Sequence, residues 1–447
     1  MNTLQHFVSP LGAPQFPEVD RADGIYIWDR AGSRYIDGSS GAVSSNIGHN
    51  NARVKRAMLE QAGRVSFAYG RVWESAPHRE LAERLTRLAG LGLNSVFAVS
   101  GGSEAVEQAI KIARMAAYAR GDTRRWKVIS RQPSYHGATL ALMGITGDPE
   151  FGQPFSPMYV QHPKVPAPLT YRVPDGLTAE QYAVQCANEL EQRIEAEGPE
   201  SVLAFLMEPV GGTATGALVA PAIYQTLVRR ICDKHGVTLI FDEVMSGAGR
   251  CGKFLAAHHW SDCPPDMVVL AKGVSGSYAP LGCVLTKGDV VEAIRSAGGL
   301  VPGHTYAANP QSCAVACAVL AETVDRSLIE NAAQLGTVLT HRLHDLMGEF
   351  DFIGDVRGLG LLQAVEIVAD RESRAIFPES LQAIAQIRRL CMRHGLSLLS
   401  RRLCGGIYGE WLMLAPPLII NAEQLEDLVR AFRAALQDFS RIAARAA

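Results

Sequence analysis

Lys272 stands where an apolar run, Met267-Val268-Val269-Leu270-Ala271, meets a glycine-containing turn, Gly273-Val274-Ser275-Gly276-Ser277. The run reads as a buried strand. A lysine at its end is desolvated, which favours the neutral amine, and a neutral amine is a nucleophile toward aldehydes. Thirty residues earlier, Asp242 and Glu243 end a second run, Val237-Thr238-Leu239-Ile240-Phe241. An acid in that position can hold a protonated pyridine nitrogen. A Schiff-base lysine and a carboxylate for the ring are the side chains that a pyridoxal 5'-phosphate site needs.

Four further segments could serve such a site, each weak by itself. Ser100-Gly101-Gly102-Ser103-Glu104-Ala105 joins a strand to a helix. Its glycines would let backbone N–H groups approach a phosphate at the positive helix end. The same residues also read as an ordinary serine-capped helix start. Ser134-Tyr135-His136-Gly137 follows another strand, and Tyr135 could stack on an aromatic ring or pack on the domain surface. Glu208-Pro209-Val210-Gly211-Gly212 ends a third strand, and Gly303-His304-Thr305-Tyr306 offers the Thr305 hydroxyl and N–H to a phosphate. No GxGxxG follows the early strands, which argues against a nicotinamide dinucleotide site.

The elements that must position these residues alternate. Between about 95 and 290, strands at Ser95–Val99, Lys127–Ser130, Val202–Met207, Val237–Phe241, Met267–Leu270 and Gly282–Thr286 are separated by helices near 103–120, 137–142, 179–197 and 221–235. Such alternation predicts a mostly parallel sheet covered by helices, with ligands at the carboxyl ends of its strands. Residues 24–29 and 33–37 read as hairpin strands, and 50–63 and 77–89 as helices. Seven prolines, at 149, 154, 157, 163, 166, 168 and 174, mark an ordered loop, read as reaching over a partner subunit. A helix at 308–325 leads to a region of strands (Phe352–Val356, Leu361–Ile367, Leu396–Leu399, Trp411–Leu414) and helices (327–349, 379–394, 422–441).

The bulk composition narrows the function classes. The 447 residues are 47% hydrophobic and 20% charged, a globular balance with room for two domains. A net charge of −2 gives no electrostatic case for nucleic acid or an anionic membrane. The 43 basic residues are 8 Lys and 35 Arg, so each lysine is easily weighed. Nine cysteines without CxxC spacing read as buried reduced thiols in a cytoplasmic protein, and no metal site is expected. No targeting signal or membrane-length apolar run is visible.

Taken in order, SGGSEAVEQAIKIAR (100–114), SYHGAT (134–139), DEVMSGAGR (242–250), AKGVSGSYAPLG (271–282) and GHTYAANPQSCA (303–314) resemble the class III aminotransferases, pyridoxal-phosphate enzymes of fold type I. The resemblance spans nearly the whole chain. It implies an α/β fold: a large domain (76–325) around a mostly parallel seven-stranded sheet, and a smaller α+β domain from both chain ends (1–75 and 326–447). By position, Lys272 would carry the cofactor and move the substrate proton, and Asp242 would pair with the pyridine nitrogen. Val244 and Tyr135 would cover the two ring faces, with His136 in the same cofactor-binding segment. Gly102 and Ser103 would bind the phosphate, and Glu208 would support the 3-oxygen side. Thr305 would reach the neighbouring subunit's phosphate, which implies a homodimer with shared sites, and dimers could pair into a tetramer.

Two positions depart from the ornithine- and γ-aminobutyrate-type members: Thr213 replaces an arginine-parking glutamate, and Met413 replaces a carboxylate-gripping arginine. Arg402, or its neighbour Arg401, in a glycine-rich loop is the substitute, as in the ω-amino acid and amine:pyruvate branch. Phe67, Tyr69 and Trp73 would line the substrate tunnel. The resulting expectation is a ping-pong transaminase that moves an amino group from an ω- or β-amino acid or primary amine to a keto acid such as pyruvate. The alternatives on the same scaffold are decarboxylation-dependent transamination, racemisation and amino-group mutation. A non-catalytic cofactor binder is disfavoured by the intact Lys272 and Asp242.

Overall fold

The computed structural model describes residues 17–299 and 303–446. Its centre is a seven-stranded sheet, ordered Leu93–Val99, Gly282–Lys287, Met267–Leu270, Thr238–Asp242, Val202–Met207, Lys127–Gln132, Lys164–Pro166. Neighbours are parallel except Gly282–Lys287, which runs antiparallel to both strands beside it. Val202–Met207 is buried along its whole length, as a central strand with helices on both faces must be. Alternate residues divide between two cores. Phe205, Met207, Leu239, Phe241, Val268 and Leu270 meet one set of helices, which includes Ala179–Glu197 and Ala222–His235. Ala204, Leu206, Ile240, Met267 and Val269 meet the other, which includes Gly102–Ala119 and Gly288–Ser296.

The C-terminal region holds a four-stranded sheet, ordered Ile353–Leu359, Leu362–Ile367, Glu410–Leu414, Leu399–Arg402. All of its pairings are antiparallel. Helix Ala422–Ala446 covers it with Leu425, Leu428, Val429, Phe432, Leu436 and Phe439, the three- and four-residue spacing of one apolar helix face. A third sheet unites the two ends of the chain. Strands Val19–Asp23, Tyr26–Asp29 and Arg34–Asp37 are joined by Leu396–Ser397, which runs parallel to Arg34–Asp37.

Four expectations differ from this architecture. The helix expected at 137–142 is a single turn, Leu140–Met143. Gly137 has φ +139, and a Cβ there would lie 2.4 Å from Leu142 and 2.7 Å from the Ser103 hydroxyl, so the chain crosses the long helix start as a loop. The proline-rich loop contains a strand, Lys164–Pro166, at the sheet edge, where proline's missing donor is tolerated. The strand expected at Leu396–Leu399 is divided between two sheets, so Arg401 and Arg402 are strand residues, not loop residues. The helix expected at 379–394 starts at Ala383, after a break at Gln382 with φ +47.

Candidate active site

Three adjacent parallel strands end at one place. Val202–Met207 delivers Glu208, Thr238–Asp242 ends on Asp242, and Met267–Leu270 leads into Lys272. The side chains surround a cavity of about 480 Å³ whose wall also includes Gly102, Ser103, Tyr135, His136, Thr213 and Val244. The carboxyl ends of parallel strands are where an open α/β sheet leaves such a crevice.

Lys272 begins a tight turn with φ +42, a left-handed conformation that costs a non-glycine residue free energy and persists where surroundings enforce it. Its ammonium pKa is lowered to about 8. Burial is the main cause and Arg250 adds to it, while Asp242 and Glu208 act in the opposite sense. The amine is therefore available in neutral form far below the usual lysine range.

Asp242 is buried, and its Oδ2 lies 2.8 Å from His136 Nδ1. Its Oδ1 accepts the Val244 amide at 3.1 Å. His136 thus serves the cavity through Asp242, as the partner that keeps a buried carboxylate hydrogen-bonded. Glu208 is also buried. Its Oε1 accepts the Gly212 amide at 2.9 Å, its Oε2 has no partner, and burial raises its pKa. Glu243 turns away from the cavity, to accept the amides of Ala256 and Ala257. It serves the fold there, and burial pushes its carboxyl up to about 7.

Helix Gly102–Ala119 points its N-terminus at the same cavity. A Cβ on Gly102 would stand 3.1 Å from Val244 Cγ1, so glycine lets the helix start and the Val244 wall approach closely. Ser103 Oγ accepts the Ala138 amide at 3.2 Å, which ties the cup to the loop carrying Tyr135 and His136. Tyr135 meets Phe151 edge-to-face at 5.8 Å. The site therefore offers an anion cup, an apolar and an aromatic wall, an acceptor carboxylate and a neutral amine around one void. That donor set fits a phosphorylated pyridine aldehyde, with the unpartnered Glu208 Oε2 left for a polar ring substituent.

The other expected residues lie elsewhere in the chain. Tyr69, Trp73 and Thr305 line a second cavity, of about 780 Å³, together with Val96–Ala98. Phe67 packs edge-to-face on Tyr306 at 6.1 Å. Strand Leu93–Val99 is the sheet's outer strand, two places from the one that carries Lys272, so none of these four residues lines the Lys272 cavity within one chain. Arg402 likewise faces away. It sits opposite Glu410 in the antiparallel ladder, with Nη1 3.3 Å from Glu410 Oε2 and Nη2 donating to the Gly405 carbonyl at 2.9 Å. Successive strand residues point to opposite faces. Arg401 is paired with Asp148, and its charge acts on the Tyr135 hydroxyl. Neither arginine lines the cavity, and Arg401 is the one whose charge reaches Tyr135 on its wall.

A family model described as aminotransferase class III matches residues 9–436. The chain belongs to the class III aminotransferases. Among relatives of this aminotransferase, an uncharacterised aminotransferase of Bacillus subtilis (strain 168), YodT, is 35% identical, with 96% of each chain covered. The aminotransferase fold also matches a thermostable (S)-enantioselective ω-transaminase from Thermomicrobium roseum, with a TM-score of 0.89, 34% identity and 97% and 96% of the two chains covered. An ω-transaminase from Pseudomonas jessenii, solved in complex with PMP, gives a TM-score of 0.90 at 32% identity, with 96% and 94% covered. The fold is thus that of the type I pyridoxal-phosphate transaminases.

Sequence reasoning missed several residues of this aminotransferase site. Ser44, Ser277 and Tyr278 line the cavity, and Asn46 packs against Gly273, next to Lys272, and accepts a hydrogen bond from Arg250. Arg250 ends a motif visible in the sequence. Nothing in the sequence marks Asn46, which arrives from a distant segment.

Proposed function

We propose that this aminotransferase moves an amino group from an ω- or β-amino acid or a primary amine to a keto acid such as pyruvate, in two half-reactions, using pyridoxal phosphate. The observation that carries the reading is the convergence of Lys272, Asp242 and the Gly102–Ser103 cup on one cavity. Bound there, the cofactor would act as an electron sink for the bond broken at the substrate carbon. Gly102 and Ser103, at the helix N-terminus, would hold its phosphate. Asp242, fixed by His136, would keep the ring nitrogen protonated, and Val244 and Tyr135 would clamp the ring. Glu208 would meet the 3-oxygen side. Lys272 would hold the cofactor in the resting enzyme and, once released, take and return the substrate proton as a neutral amine.

Arg401 is the better-placed group for a substrate carboxylate, because it lies by Tyr135 and its partner Asp148 can hold it when the substrate is uncharged. Thr213 and Met413 in place of an arginine-parking acid and a fixed arginine support a movable carboxylate contact over a permanent one. Thr305, Phe67, Tyr69 and Trp73 would complete the site of a second copy in a homodimer. Phe67, Tyr69, Trp73 and Tyr306 are exposed in a single chain, which supports their being covered. Nine free cysteines support a reducing, cytoplasmic setting.

The test is the product set from one amine donor with pyruvate. A keto product and alanine in equal amounts support the proposal. Carbon dioxide would instead indicate decarboxylation-dependent transamination, and an inverted or rearranged amine would indicate racemisation or amino-group mutation.

A further inference from the structure

Glu208 and Thr213 stand on the wall of the Lys272 cavity, and one loop carries both. It leaves strand Val202–Met207 at Glu208 and returns where Val219 bridges back to Val210. Gly212 is packed tightly inside it. A Cβ there would lie 2.6 Å from Glu208 Oε1 and 3.3 Å from the sulfur of Met245, another residue of the cavity wall. The far end of the loop lies against the C-terminal sheet. Gly216, with φ +56, rests on the Trp411 ring, where a Cβ would stand 2.7 Å away.

Arg357 holds that end. Its Nε donates to the Gly216 carbonyl at 2.7 Å and its Nη2 to the Thr215 carbonyl at 3.2 Å. Its Nη1 donates to Asp355 Oδ2 at 2.8 Å and to Glu366 Oε2 at 2.7 Å. Asp355 lies two places from Arg357 on one strand and directly opposite Glu366 on the next, so the three share a face. Glu366 Oε1 also accepts from Arg172 Nε at 2.8 Å, out of the proline-rich loop. Two arginines and two carboxylates thus balance, as buried charges must, and the planar guanidinium is fixed in one orientation.

From Arg357 an unbroken hydrogen-bond path leads to the cavity. The Thr215 amide donates to the Gly212 carbonyl at 3.4 Å, and the Gly212 amide donates to Glu208 Oε1 at 2.9 Å. A displacement of Thr215 is therefore passed to the Glu208 carboxylate by two contacts. We propose that Arg357 is a positioning residue for Glu208. From the C-terminal sheet it fixes the Thr215–Gly216 end of the loop, and so the direction in which the Glu208 carboxylate faces the cavity. The inference rests on the reading that Glu208 meets the bound cofactor, but its first test needs neither cofactor nor turnover. Failure of that function and failure of this inference are therefore distinguishable.

The experiment is amide hydrogen exchange of the full-length, cofactor-free protein, read by mass spectrometry on peptides covering 209–216, with 267–270 as an internal reference. Arg357→Gln should speed exchange in the loop roughly 2- to 10-fold, as loss of an ordinary hydrogen bond does, and leave the reference strand unchanged. The second reading is dissociation of pyridoxal phosphate, followed by absorbance. Arg357→Gln should weaken retention by a similar factor in the parent, and should add nothing once Glu208→Ala has removed the acceptor. A loop that exchanges as in the parent, a reference strand that speeds up as much as the loop, or an equal loss of retention in both backgrounds would overturn the proposal. Should Arg357→Gln fail to fold, Gly216→Ala pushes on the loop end with the buried charges intact. It should speed the same exchange, and an unchanged loop there refutes the proposal.

Discussion

His136→Leu removes a ring of similar size whose Nδ1 lies 2.8 Å from Asp242 Oδ2. Both side chains are buried, so no water replaces the lost donor, and Asp242 keeps only the Val244 amide. A hydrogen bond to a charged group contributes about 1.5–3 kcal/mol, and the cost is largest when the remaining partner stays buried. If Asp242 is the group that holds the ring nitrogen, that loss falls on the reacting state. Tenfold in rate corresponds to about 1.36 kcal/mol, so kcat/KM should fall by roughly 10- to 150-fold. The assay is initial rate with an amine donor and pyruvate at saturating cofactor, with the thermal midpoint of the cofactor-free protein measured in parallel. The midpoint should also fall, because the carboxylate is then poorly compensated in the folded chain. Turnover within about twofold of the parent together with an unchanged midpoint would refute the reasoning, since a charged bond of ordinary strength cannot vanish from both.

Three further outcomes follow from particular contacts. Gly273→Ala places a methyl against Asn46 Nδ2 and should lower stability by about 1–3 kcal/mol, as overpacking does; denaturant titration reads it, and an unchanged midpoint would mean that Asn46 does not rest on the turn. Lys272 titrates near 8 when folded and near 10.5 when unfolded. The unfolded chain then binds the extra proton between those values, so Lys272 contributes stability that grows as pH rises from about 8 toward 10.5, against the buried cysteine thiols, whose raised pKa values act in the opposite sense. Lys272→Met should remove that contribution, so the stability difference between parent and variant should shift in favour of the parent across this range in pH-dependent melts. Arg401→Ala should weaken keto-acid acceptance more than reaction with an uncharged amine, whereas Arg402→Ala should affect both equally; steady-state kinetics with the two substrate classes would reverse this order if Arg402 were the carboxylate contact.

Lys272, Asp242, Glu208 and the Gly102–Ser103 cup were legible in the sequence because each terminates a short apolar run or opens a helix. In a parallel sheet those ends gather on one side. Their adjacency was not legible. Strands next to one another in sequence need not be neighbours, and Lys164–Pro166 was hidden among prolines. The choice between Arg401 and Arg402 depends on which face of a strand each occupies, and a one-residue shift reverses it. Reading the segment as a loop removed that constraint. His136 was legible as a site residue, but its role depends on a loop folded against a helix start. Asn46 and Arg250 escaped because their importance arises only where three distant segments meet. Thr305 and the aromatics near Trp73 have no place at the Lys272 cavity of a single chain.

The central claim is that Lys272 holds pyridoxal phosphate and releases it to an amine. The direct measurement is the visible absorption spectrum of the purified, cofactor-loaded protein, taken as a β-amino acid or simple primary amine and then pyruvate are added. The expected result is a band that bleaches with a donor, returns with pyruvate, and no longer cycles in Lys272→Ala. A protein that shows no band after cofactor addition, or whose Lys272→Ala variant cycles as the parent does, would contradict it.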